Sequence, residues 1–128
     1  MKPVTREWLK AADDDIVAMR RMLDVEEITN IVAFHAQQCI EKSFKAIIEE
    51  HQTGLIRTHN IESLYAKVKD IMGEIDEQII DRLDKLYIEA RYPGEMGLMP
   101  YGKTSKEDAK RYFCEALRIK EQVEALLT

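Results

Sequence analysis

The chain predicts an all-α protein: one domain over residues 1–128, built as an up-and-down antiparallel bundle of four or five helices. Three observations predict it. Apolar residues recur at steps of three and four through most of the chain, the spacing that gathers them on one face of a helix. No segment alternates apolar and polar residues with period two, and no hairpin dipeptide bounds a candidate strand. Most connections between the periodic stretches are short, which favours antiparallel neighbours.

The first helix is expected from about Thr5 to Leu23, with Thr5 as N-cap and Trp8, Ala12, Ile16, Met19 and Leu23 on one side. Asp13, Asp14 and Asp15 point about 100° apart on such a helix, so they cannot converge on one ion and read as a solvated face. The second helix is expected from about Glu27 to His51, with Gly54 as the stop after it. The third begins near Thr58-His59-Asn60 and carries Ile61, Leu64, Tyr65, Val68 and Ile71 to Gly73. The fourth spans about Asp76 to Arg91, with Ile79, Ile80, Leu83, Leu86, Tyr87 and Ala90 inward. Tyr92 precedes Pro93 and is pushed out of the helical region, which ends it. After a loop from Tyr92 to Lys103, Thr104 and Glu107 form a capping box. The fifth helix then runs to the end through Ala109, Tyr112, Phe113, Ala116, Ile119, Val123 and Leu127.

At 45% hydrophobic and 34% charged residues, the chain has the composition of a globular protein with its own core. No apolar run approaches the roughly 20 residues of a membrane span, and the N-terminus lacks a signal-peptide core, so a cytoplasmic protein with no membrane contact is expected. Cys39 and Cys114 sit among core-type neighbours on separate helices and read as small reduced hydrophobes. A net charge of −5 argues against bulk capture of nucleic acid; any nucleotide or RNA contact would be local.

The second helix carries two stripes. Val32, Ala33, Ala36, Cys39, Ile40, Ser43, Phe44, Ala46 and Ile47 form a core side. His35, Gln38, Lys42, Lys45 and Glu49 recur on the other side within an arc of about 80°. An imidazole, an amide and two ammonium groups in one row suit an anion or a partner. The alternative is a wet helix back laced with pairs such as Glu41 with Lys45. Tyr87 and Arg91 share a face of the fourth helix and join a site only if they face that seam.

Gly97 to Thr104 matches the phosphate-loop pattern G-x-x-x-x-G-K-[ST], but it follows a helix, not a parallel strand, and a phosphate-loop fold is not expected. Lys103 and Thr104 remain weaker anion candidates at a helix start, beside the plainer role of Thr104 as a cap. His35, His51 and His59 lie in different settings with no ligand spacing, so neither a metal site nor a cofactor is expected. His51 suits the helix dipole at the end of the second helix. His59 is a further weak candidate, able to hydrogen-bond within its turn. No nucleophile with an adjacent base is evident.

Taken in order, Glu7-Trp8-Leu9-Lys10-Ala11-Ala12, Phe34-His35-Ala36-Gln37-Gln38 with Glu41-Lys42 and Lys45-Ala46, Thr58-His59-Asn60-Ile61, and Tyr87-Ile88-Glu89-Ala90-Arg91-Tyr92-Pro93 resemble the HEPN-domain family from about Glu7 to Leu126. The resemblance implies a helical bundle, commonly a homodimer, often encoded beside a minimal nucleotidyltransferase for which it would bind a nucleotide or substrate. Many such relatives are metal-independent RNases of toxin–antitoxin or defence systems, with an Arg followed after four to six residues by a His. No Arg here is followed by a His at that spacing; Arg57 and His59 are too close, and no His follows Arg91. Acid–base cleavage of RNA needs a group titrating near neutrality. Nor does the chain carry the Gly-Ser turn and spaced aspartates of the nucleotidyltransferase itself. The expectation is therefore a non-catalytic module in which His35, Gln38, Lys42, Lys45, Tyr87 and Arg91 contact a nucleotide, a polyanion or a nucleotidyltransferase partner. The alternative is an RNase with His35 or His59 acting beside Arg91.

Overall fold

The computed structural model describes residues 1–51, 57–91 and 104–128, with the side chains of 88–91 outside the described set. Along the chain run α1 (Pro3–Met22), a 3-10 turn (Glu26–Ile28), α2 (Thr29–His51), α3 (Ile61–Met72), α4 (Glu77–Arg91) and α5 (Lys106–Leu127). Among the described residues there is no strand, and no helix is long and apolar enough to cross a membrane. The expected all-helical bundle is the observed one.

α2 is its axis and packs against the other four helices. Its composition explains this. Val32, Ala33, Ala36, Cys39, Ile40, Phe44, Ala46, Ile47 and Ile48 are all buried, and the small residues among them let neighbouring backbones approach. Ser43 is buried without cost because its hydroxyl donates to the Cys39 carbonyl one turn back, at 2.7 Å. α1 contributes Leu9, Ala12, Ile16 and Met19; α3 contributes Ile61, Leu64, Val68 and Met72. α4 adds Ile79, Ile80, Leu83 and Leu86, and α5 adds Ala109, Ala116, Ile119 and Val123. The wholly buried Phe44 lies 5.9 Å from the Tyr65 ring, and truncating it would cost about 3–5 kcal/mol.

Hydrogen bonds between helix ends fix the directions. The Lys2 amide and the Thr5 hydroxyl both donate to Glu50 at 2.9 Å, so the start of α1 meets the end of α2 and the two run antiparallel. The Lys2 amide is the main reason the Glu50 carboxyl lies below its ordinary value. Thr104, just before α5, meets the start of α2: its carbonyl accepts from the Thr29 hydroxyl at 2.6 Å, and its amide donates to Asn30 at 2.8 Å. α5 therefore runs in the same sense as α2. Phe34, early in α2, stacks on Tyr87, late in α4, so these two are opposed. α1, α2, α4 and α5 alternate as an up-down-up-down bundle, with α3 packed on one side.

The ends obey local chemistry, with small shifts from expectation. α1 begins at Pro3, which lacks an amide that would be unpaired there anyway, and Thr5 serves Glu50 in place of capping. The chain passes through the 3-10 turn before α2 begins at Thr29, two residues later than expected. Asn60 caps α3 by accepting from the Ser63 amide at 2.8 Å. Gly73 ends it at φ 82, a backbone state that disfavours a side chain. Ser105, not Thr104, caps α5, accepting from the Asp108 amide.

Two further expectations are corrected. Asp15 is buried, unlike its exposed neighbours Asp13 and Asp14, because it lies on the edge of the Ala12–Met19 stripe. Cys39 is buried but Cys114 is exposed. The expected stop at Gly54, the Tyr92-Pro93-Gly94 terminus and the Gly97–Lys103 segment lie outside the described residues.

Candidate functional site

The polar row of α2 meets α1 at Asp15. One Asp15 oxygen accepts Lys42 Nζ and the other pairs with His35 Nδ1, each at 2.8 Å. His35 and Lys42 are two turns apart on one face, so a single carboxylate on the facing helix fits between them. Its side chain is only 6% exposed, whereas His35 and Lys42 reach solvent at 27% and 23%. A buried carboxylate with both oxygens engaged is tolerable; one left alone would not be.

A second cluster occupies the next stripe of α2, toward the start of α3. Gln37 is wholly buried; its amide donates to the His59 carbonyl at 2.8 Å and its oxygen accepts from Gln38 at 2.8 Å. Glu41 is buried too and meets both Lys45 Nζ and His59 Nδ1 at 3.3 Å. Lys45 is itself buried, with its ammonium 5.2 Å from the centre of the Trp8 ring. The Glu41–Lys45 pair expected of a wet helix back is thus an internal one.

Beside these clusters lies a set of rings. Phe34 stacks on Tyr87 with centroids 5.8 Å apart and planes 17° from parallel. His35 meets the Phe34 edge at 5.5 Å, and His59 lies 6.5 Å from Tyr87. His59, Asn60, Asp84 and Tyr87 line a cleft of about 130 Å³. Asp84 is committed to structure: its two oxygens accept the Ile61 and Glu62 amides at 2.9 and 3.0 Å, tying α4 to the first turn of α3. Burial pushes its carboxyl above the ordinary value although both amide bonds oppose that shift. His59 is tied at Nδ1 yet 62% exposed, so its ring is accessible.

The structure therefore divides the expected site residues. His35 and Lys42 share Asp15; Gln38 bonds Gln37; Lys45 faces Glu41 and Trp8. Tyr87 stands at the cleft with His59, and Arg91 closes α4 one turn beyond it, its side chain outside the described set along with Lys103. Thr104 is buried on the α2 side of the bundle, as described above. Glu41, Gln37 and Phe34 join the site without having been expected there. Their one signal in the sequence is spacing: Gln37 and Glu41 are four apart and flank the polar row.

The ion pairs already made limit what this arrangement can hold. Lys42 and Lys45 each already have a buried carboxylate, so neither is a ready-made phosphate clamp. What the cleft offers is ring surface and an accessible imidazole, suited to a flat heteroaromatic ring. Among the described residues no group of three or more His, Cys, Asp or Glu could hold a metal ion.

A family model described as the HEPN domain matches residues 5–126 of the chain. The crystal structure of an archaeal HEPN homologue is similar over 100% of both chains, with 27% sequence identity and a TM-score of 0.74. No curated protein matches the chain significantly.

Proposed function

Because this chain belongs to the HEPN family, we propose that it is a non-catalytic helical module that binds a nucleotide by its base in the cleft between His59 and Tyr87. The observation carrying the reading is the Phe34–Tyr87 stack with His59 beside it, an aromatic platform at an open cleft. A base stacking on such rings is worth about 1–3 kcal/mol. Arg91, one turn beyond Tyr87, takes the phosphates as a guanidinium fork. His35, Gln38, Lys42 and Lys45 act behind the cleft, holding Phe34, Glu41 and His59 in register through Asp15 and Gln37. The family resemblance supports a homodimer in the cytoplasm and a minimal nucleotidyltransferase as partner. The missing Arg–His spacing supports binding without cleavage.

Thermal unfolding with ATP, GTP and a short RNA tests this. Stabilisation by a nucleotide that is lost in Tyr87→Ala and Arg91→Ala supports it; absence of any shift in a folded sample overturns it. Co-purification with the product of a neighbouring nucleotidyltransferase gene tests the partner, and sedimentation tests the dimer.

One observation favours a second reading, an RNase. An accessible imidazole bonded to a buried carboxylate, as in His59–Glu41, is an arrangement that serves acid–base chemistry. Cleavage of labelled RNA in the presence of a chelator, abolished by His59→Ala, would establish that reading in place of the first.

A further inference from the structure

α4 turns Asp84 and Tyr87 toward the cleft just described, and Arg82 toward α5. Between α4 and α5 lie two adjoining hollows of about 110 and 340 Å³, which share Ile79 and Arg111 in their walls. We propose that this groove is a docking site for an acidic segment of a partner protein. The groove shares no lining residue with the His59–Tyr87 cleft.

The groove has an apolar floor and a basic rim. Ile79 and Tyr112 form the floor, 7% and 4% exposed. Arg82, Lys110, Arg111 and Arg118 surround it, against the two carboxylates Asp108 and Glu115. Burial pushes the Tyr112 phenol up, with Arg82 and Arg111 opposing that shift and Asp108 adding to it, and both guanidinium groups line the same hollow as the ring. Glu115 is already occupied by two 2.8 Å bonds from Arg118 and one of 2.9 Å from the Asp76 amide. The Arg111–Asp108 pair is looser, 3.6 Å apart, with Arg111 65% exposed. This local surplus of positive charge sits on a chain whose net charge is −5.

Lys110, Arg111, Cys114 and Arg118 recur along one side of α5, and the nine residues from Lys110 to Arg118 span about 12 Å. That length suits two turns of a helical ligand whose carboxylates meet the guanidinium forks while one alkyl side chain rests over Ile79. Nucleic acid suits the groove less well. Its aromatic ring, Tyr112, is buried in the floor and offers no face on which a base could stack.

The test is fluorescence anisotropy with a fluorescein-labelled peptide of sequence Glu-Glu-Leu-Glu-Glu-Leu and, separately, a labelled RNA dodecamer. Saturable peptide binding is expected, weakened about tenfold or more by Arg82→Gln with Arg111→Gln, and weakened by added salt. Both arginines are exposed, so the double variant keeps its fold, which circular dichroism verifies, and it leaves ATP binding unchanged. No peptide binding, binding indifferent to the double variant, or tighter binding of the RNA through the same arginines would each overturn the proposal. Lys110→Gln gives a second variant at the rim with the same expected direction.

Discussion

Asp15 and Lys42 form an ion pair at 2.8 Å across the α1–α2 contact, with the carboxylate almost sealed from solvent. Removing one partner of such a pair is costly because it leaves the other charge behind. Lys42 retains some solvent contact, which moderates the loss. Asp15→Asn should destabilise the fold by about 1–3 kcal/mol, read as a lower urea midpoint with an unchanged slope. Lys42→Met should cost less, since His35 still serves the carboxylate. Equal losses would mean that His35 contributes nothing to holding Asp15.

Asp84 gives stability a pH dependence of defined sign. Its carboxyl is raised in the folded state from the ordinary value of 3.8, chiefly by burial. From 3.8 up to the folded value, the native state therefore holds more protons than the unfolded chain, and stability falls as pH rises across that interval. Urea unfolding of the wild type and Asp84→Asn across the carboxylate range checks this. The stability of the wild type relative to the variant should be greatest at the acid end and decline with pH. A difference that grows with pH contradicts the assignment.

The two thiols should be told apart by reactivity. Burial, reinforced by Asp15, pushes the Cys39 thiol up to about 12, whereas Cys114 is exposed. At pH 8 the Cys39 thiolate is then about one part in ten thousand, and the thiol is sterically sealed. Titration with a disulfide reagent should find one reactive thiol in the native protein and two in denaturant. Two fast thiols under native conditions would contradict the packing around α2.

The start of α5 separates two adjacent hydroxyls. Ser105 accepts the Asp108 amide, so Ser105→Ala should cost about 1 kcal/mol. The Thr104 hydroxyl oxygen is buried with no hydrogen-bond partner among the described residues, so Thr104→Val should be neutral or stabilising. Thermal unfolding of both variants checks the pair. The reverse order would return the cap to Thr104.

Helix periodicity made the bundle legible, because nearly every buried residue of α1 to α5 recurs at steps of three and four. The site was legible only in outline. Asp15 looks the same as Asp13 and Asp14 in a run of three, and only its position three residues after Ala12 and four before Met19 marks it as inward-facing. Lys45 and Lys42 are alike on a helical wheel, yet Trp8 covers one and solvent reaches the other, a consequence of how α1 lies on α2. Gln37 and Glu41 owe their roles to His59, which arrives from a different segment. The basic groove joins Arg82 of α4 to Arg111 of α5, a juxtaposition that no local pattern encodes.

Isothermal titration of ATP into the wild type and into His59→Ala tests the central claim most directly. His59 is largely exposed, and Glu41 keeps Lys45 when the ring is removed, so the variant should stay folded. The account predicts saturable binding by the wild type and a loss of about tenfold or more in the variant. Equal affinities, or no heat of binding to the folded wild type, would contradict a nucleotide site at the His59–Tyr87 cleft.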